Sequence, residues 1–174
     1  MSDAPWTVEL LAKRHKRDSF ESGEPALDEF LRKFARQNQE ENVGRTFVAT
    51  ERGSAEVFGF YTLMVASIAR ELFDEASVKR VPRYPVPVAH LGRLGVSKKA
   101  QGRGLGEHLL VHALSQILRV SEIIGIFAVE VRAKHESARK FYAKYGFVSL
   151  KDDPLHMYLP MSAIETLADD LRVD

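Results

Sequence analysis

Cysteine is absent from the 174 residues. Its absence removes a disulfide framework, a zinc-thiolate site and a cysteine nucleophile, and the chain needs no oxidising compartment. No apolar run approaches the roughly 20 residues of a membrane span, and the first 30 residues hold no continuous apolar stretch of a secretion signal. The expectation is a cytoplasmic protein that makes no use of a membrane. Formal net charge is only +1, so no overall field draws the chain to nucleic acid. Internal repeats, low-complexity tracts and linkers are also missing, and Ser115, Ser137 and the histidines form no nucleophile elbow of a hydrolase.

What is present suits one domain, 1–174, with 45% hydrophobic and 28% charged residues, enough to bury a core. The charge is uneven. Basic clusters stand at Lys13-Arg14-His15-Lys16-Arg17, at Lys79-Arg80 with Arg83, and at Lys98-Lys99 with Arg103.

Thr7 to Ala12 reads as a first strand. Pro25 suits a helix start, and Leu27, Phe30, Leu31, Phe34 and Ala35 repeat at helical spacing until Asn42 and Gly44. Thr46–Glu51 and Val57–Ala66, separated by Arg52-Gly53-Ser54, read as a hairpin, and Ile68 to Ala76 as a short helix. Pro82, Pro85 and Pro87 punctuate the approach to an apolar strand, Val88 to Val96. A helix over Glu107–Leu118 buries Leu110, Leu114, Ile117 and Leu118, and Ile126 to Val131 reads as a strand covered on both faces. Phe147–Leu150 and His156–Leu159 supply final strands, with a helix over Ser162–Leu171. This order is that of a mixed α/β sheet with a phosphate loop near its middle.

That loop is Gln101-Gly102-Arg103-Gly104-Leu105-Gly106, between the Val88–Val96 strand and the helix that follows. A glycine-rich turn feeding a helix N-terminus aims several N–H groups and the helix dipole at one spot, which suits a pyrophosphate. A nucleoside-triphosphate loop fails here, because Glu107 and His108 stand where Lys and Ser or Thr are needed. The dinucleotide fingerprint fails too, since Gly102, Gly104 and Gly106 are spaced two and two. His108 and His112 have the spacing of metal ligands on a helix, but no third ligand or protease glutamate accompanies them, and no metal is expected.

The pattern Gln101-x-x-Gly104-x-Gly106 resembles the loop of the GNAT family of acetyl-CoA-dependent N-acetyltransferases. A second segment, His135 through Ala138, Phe141-Tyr142 and Gly146-Phe147, is similar to the family's downstream signature. The resemblance implies a mixed, mostly antiparallel central sheet of six to seven strands flanked by helices. It implies that Leu94, Gly95 and Val96 bond the pantetheine arm, and that the loop from Gln101 through Gly102, Arg103, Gly104, Leu105 and Gly106 holds the pyrophosphate. Tyr142 matches the tyrosine that protonates the departing CoA thiolate, a role open to a phenol still protonated near neutral pH. Tyr142 also lies on the helix's apolar stripe with Ala138, Phe141 and Tyr145, where packing alone would explain it. His135 departs from the family's Asn. It is assigned to the pantetheine contact made by that Asn, though a histidine there could also carry a proton or cap the helix.

Phe20-Glu21-Ser22-Gly23, Leu27-Asp28, Phe47-Val48-Ala49, Gly59-Phe60-Tyr61-Thr62-Leu63, Pro85-Val86-Pro87, Asp153-Pro154-Leu155 and Leu159-Pro160-Met161 extend the likeness along nearly the whole chain. They resemble the GNAT toxins of bacterial toxin–antitoxin modules, of the TacT and AtaT type. That resemblance implies acetylation of the α-amine of aminoacyl-tRNA, a block of translation, and a small antitoxin partner. Homodimerisation follows from family analogy and base rate. An α-amine has a pKa near 8, about two units below a lysine ε-amine, so it sheds its proton more readily. Arg80, Arg83 and Arg93 are the residues expected at tRNA, with Lys16 and Arg17 as further contacts. Water, His90 and His135 all remain open as the base. Two alternatives stand beside this reading: a GNAT enzyme acting on a protein N-terminus, polyamine or small amine, and a non-catalytic CoA-binding module.

Overall fold

The computed structural model describes residues 5–79, 81 and 83–172. Its strands are β1 (Trp6–Leu10), β2 (Arg45–Glu51), β3 (Gly59–Ile68), β4 (Val86–Val96), β5 (Ala128–Arg132), β6 (Val148–Ser149) and β7 (His156–Pro160). They form one seven-stranded sheet in the order β1-β2-β3-β4-β5-β7-β6. The pairs β1/β2, β2/β3, β5/β7 and β6/β7 are antiparallel. The α-helices are α1 (Pro25–Glu29), α2 (Ala35–Glu40), α3 (Glu75–Val78), α4 (Leu105–Ser121), α5 (Glu136–Lys144) and α6 (Met161–Arg172). Contacts divide the chain into two compact units, residues 1–64 with 91–113 and residues 65–90 with 114–174.

In the first unit, the expected hairpin forms with Phe47 opposite Tyr61, their rings stacked at 5.1 Å. The core is apolar and aromatic: Phe20, Leu27, Phe30, Leu31, Val48 and Phe60 are buried together. Gly59 and Gly95 serve that core by having no side chain. A Cβ on Gly59 would lie 2.9 Å from Leu105 and Leu109, and one on Gly95 would lie 3.0 Å from Phe60. The helix that starts at Pro25 is not uniform, because a π turn over Phe30–Phe34 separates α1 from α2. The wider turn rotates the apolar stripe, and Phe34, expected inside, is instead exposed. Arg17 donates to the Leu31 carbonyl at that turn, at 2.9 Å.

The second unit has its own core of Ile68, Phe73, Val81, Val86, Val88, Ala128, Leu150 and Tyr158. Phe73 packs edge-on against Phe127 and Tyr158 at 5.6 and 4.9 Å. The single helix expected over Ile68–Ala76 does not form. β3 runs on to a buried Ile68, a 3₁₀ turn occupies Arg70–Leu72, and extended Phe73 enters the core. Asp74 then starts α3 by accepting from the Ser77 N–H at 2.7 Å, an N-cap that delays the helix to Glu75, well past the expected start at Ile68. On β5, Ala128, Val129, Glu130 and Val131 are all buried, as a strand covered on both faces requires. α5 begins on His135 and ends at Gly146, whose φ of +95° closes the helix in the left-handed region.

Candidate active site

The loop between β4 and α4 is built to present its main chain. Gly102 and Gly104 both have φ +78°, and a Cβ on either would meet nothing within 4 Å. These positions therefore need the left-handed backbone and not the room, and the space outside them is open to a ligand. The side chains around them are turned to other work. Gln101 donates to the carbonyls of Ser22 at 2.9 Å and Val96 at 3.0 Å, tying the loop to the end of β4. The Arg103 guanidinium lies 4.5 Å from the Trp6 ring centroid and pairs with Glu51 at 3.4 Å. Leu105 is buried, and Gly106 already belongs to the first turn of α4. On the preceding strand Gly95 is buried, whereas Leu94 and Val96 are half-buried. The donors of a helix start and its dipole thus meet an unobstructed glycine backbone, chemistry that fits a diphosphate.

Nearby cations differ in how far they are engaged. Lys98 pairs with Glu21 at 3.2 Å and Lys99 with Glu56 at 3.1 Å. Arg17 is spent on helix carbonyls, while Lys16 is exposed. The Arg93 guanidinium lies over the Phe30 ring, 3.6 Å from its centroid, and burial lowers its pKa. Arg83 is exposed in the second unit, and Arg80 lies outside the described residues. His112 is accounted for by Tyr61, whose hydroxyl meets its Nδ1 at 2.7 Å. Burial pushes the phenol far above its usual range and, with the His108 charge, lowers His112, so the phenol donates and the imidazole accepts.

Tyr142 and His135 sit together on and before α5 in the second unit. Tyr142 is buried in an aromatic group, 5.2 Å from Phe141 and 5.4 Å from Phe147 between ring centroids. His135 caps the helix, its Nδ1 accepting from the Ala138 N–H at 3.2 Å. The same unit holds an ionisable group that residue patterns did not disclose. His90 Nδ1 lies 2.6 Å from Glu130 Oε1, His156 Nε2 lies 2.6 Å from Glu130 Oε2, and His156 Nδ1 lies 2.9 Å from Asp152. Burial pushes the Glu130 carboxyl up, but the bonds from His90 and His156 more than offset this and hold it below the ordinary glutamate value. One signal for it was in the chain: Glu130 is the single charge inside the apolar run Ile126 to Val131.

Residues 30–157 match the family model described as an acetyltransferase (GNAT) domain. The "tRNA-acetylating toxin" of Mycobacterium tuberculosis is 42% identical over 152 residues, 87% of this chain and 90% of that one. The solved structure of AtaT complexed with acetyl-methionyl-tRNAfMet superposes with a TM-score of 0.88 at 27% identity, covering 94% of this chain and 99% of that one. A tyrosine-to-phenylalanine mutant of the AtaT toxin, bound to the C-terminus of the antitoxin AtaR and acetyl-CoA, matches with a TM-score of 0.79 at 26% identity over 94% and 98% of the two chains. The glycine loop, the sheet order and the sequence identity agree, and the chain belongs to the GNAT acetyltransferase family.

Proposed function

We propose that residues 1–174 act as a single acetyl-CoA-dependent N-acetyltransferase domain, a toxin that acetylates the α-amine of an amino acid carried on tRNA and so blocks translation. The observation that carries this reading is the open glycine backbone at Gly102 and Gly104 feeding α4, in a chain 42% identical to a tRNA-acetylating toxin. In this reading the loop from Gln101 to Gly106 binds the diphosphate of acetyl-CoA, and Leu94, Gly95 and Val96 bond the pantetheine arm. Gln101 contributes by holding the loop, through the Ser22 and Val96 carbonyls.

Transfer replaces the C–S bond of the thioester with a C–N bond to the acceptor. Tyr142 donates its phenolic proton to the departing thiolate, and the aromatic group around it fixes the ring. His135 anchors the start of α5, so that its ring sets the helix that carries Tyr142. The acceptor's phosphates fall to Arg83 and Arg93. Arg93 is suited to this by a guanidinium already flattened on Phe30 and partly stripped of water. A toxin of this kind needs a neutralising partner, a role for a small antitoxin. A homodimer and a cytoplasmic location complete the reading; among the described residues no helix is long and apolar enough to cross a membrane.

Two measurements test it. Calorimetry should show acetyl-CoA binding by the wild type and a loss of about tenfold or more for Gly104→Val, because a β-branched residue resists a positive φ. With charged tRNA as acceptor, Tyr142→Phe should bind acetyl-CoA normally and lose about 10²- to 10⁴-fold in kcat. Normal turnover by Tyr142→Phe refutes its role, and transfer to free polyamines or protein N-termini in preference to charged tRNA refutes the acceptor.

A further inference from the structure

An α-ammonium cannot attack a thioester until it loses a proton, and with a pKa near 8 most of it is charged at neutral pH. A proton acceptor is therefore worth having, and the chain of contacts through Glu130 supplies one. His90 Nδ1 bonds to Glu130 Oε1 at 2.6 Å. Because an ionised carboxylate can only accept, Nδ1 carries the hydrogen, and the lone pair of the neutral ring stands on Nε2. The His90 side chain is 18% exposed, so part of the ring meets solvent while Nδ1 is engaged by Glu130. Glu130 is itself 8% exposed and held ionised by its second contact, His156 Nε2 at 2.6 Å. Asp152, at 2.9 Å from His156 Nδ1, fixes that ring in turn, and the Arg132 charge bears on Asp152. All of these groups belong to one compact unit, on β4, β5 and β7 and in the turn before β7.

His135 is arranged the other way. Its Nδ1 accepts from the Ala138 N–H, so the neutral ring carries its hydrogen on Nε2.

We propose that His90 Nε2 is the proton acceptor for the ammonium of the acceptor substrate, with Glu130 as the positioning residue and His156 and Asp152 bracing Glu130 from behind. This assignment rests on the N-acetyltransfer reading above. The N–H bond of the ammonium breaks with its electron pair left on nitrogen, and the proton bonds to Nε2. The Glu130 carboxylate stabilises the resulting imidazolium, which releases the proton to water before the next turnover. The freed amine then attacks the thioester carbonyl. His90 stands on β4, four residues before Leu94, on the strand whose far end leads into the glycine loop.

The test is a pH–rate profile with charged tRNA as the acceptor, for the wild type, His90→Gln, His90→Ala and Glu130→Gln. Near pH 6.5, His90→Gln should lower kcat by about 10- to 100-fold, the scale of a general base. The deficit should shrink to under about threefold near pH 9, where the α-amine is already neutral. Glu130→Gln should show a smaller deficit with the same pH dependence, and added imidazole should restore His90→Ala at the lower pH. A deficit equal at every pH, including complete inactivity from misfolding, overturns the assignment, as does no deficit. Wild-type transfer with a flat variant profile refutes His90 alone. Absence of transfer by the wild type to any charged tRNA refutes the acceptor reading and the assignment with it.

Discussion

The two units differ in how deeply they bury ionised groups. Most ion pairs of the first unit lie at the surface: Lys98–Glu21 and Lys99–Glu56 join side chains of which the lysines are 59% and 61% exposed, while the buried His15 reaches out to a half-buried Glu9 at 2.9 Å. Such pairs contribute at most about 1 kcal/mol, since water screens them and two long side chains must be held still. Its core is mainly apolar, with Phe20 and Phe30 each in ring contact with Phe60, and its buried Asp28 is held by the Ser22 hydroxyl and N–H. The second unit instead buries Glu130 and His156, in a sheet that also buries Ala128 and Tyr158. Removing those groups from water costs several kcal/mol before their mutual bonds offset it. Stability alone would be served by filling that space with apolar side chains, as the cluster around Phe20, Phe30 and Phe60 does in the first unit. Two histidines bonded to the two oxygens of one carboxylate, with Asp152 behind the second ring, form an arrangement able to orient a reactive ring.

Substitutions can break or sharpen this contrast. The largest effect should come from Phe60→Ala in the first unit, about 3–5 kcal/mol lost in urea unfolding, because the ring leaves a cavity among Phe20, Phe30 and Gly95. A loss under about 1 kcal/mol would mean the aromatic core collapses to fill the gap. Glu130→Ala comes next, at about 2–3 kcal/mol, since it strips His90 and His156 of their acceptor.

Glu130 also fixes a pH dependence. Its folded pKa is lowered, so the stability it adds is complete above its ordinary value of 4.5 and is lost as pH falls through the folded value. Denaturant unfolding should show Glu130→Gln losing less stability than the wild type as pH falls below 4.5. Parallel curves would show that the carboxylate is not held ionised. Tyr61→Phe leaves His112 Nδ1 without the hydroxyl and should cost about 1–2 kcal/mol in the same assay. Smallest of all, Lys98→Ala should change stability by less than about 0.5 kcal/mol, a difference that added salt shrinks further. A larger loss that persists in high salt would erase the distinction between the two units.

Much of the fold could be read along the chain, because local rules act over a few residues. Alternating and apolar runs mark β2 to β5, Pro25 and Gly146 mark a helix start and a helix end, and Gly102 and Gly104 announce a turn that only a left-handed backbone makes. The loop's open backbone at a helix start was legible for the same reason, being set by glycines and a helix within a few residues of each other. The π turn that exposes Phe34 was not, nor the extended entry of Phe73 into the core, because each depends on what the neighbouring segments bury.

The contacts of Glu130 lay furthest from reach. His90, Glu130 and His156 are separated by 40 and 26 residues. A lone glutamate in an apolar run is only an anomaly until β5 and β7 pair and set Tyr158 opposite Glu130, which leaves His156 diagonal to it on the same face. Periodicity and turn chemistry act on neighbours in the chain and so are written there. Hydrogen bonds between distant side chains exist only once strand register has chosen which face each one occupies.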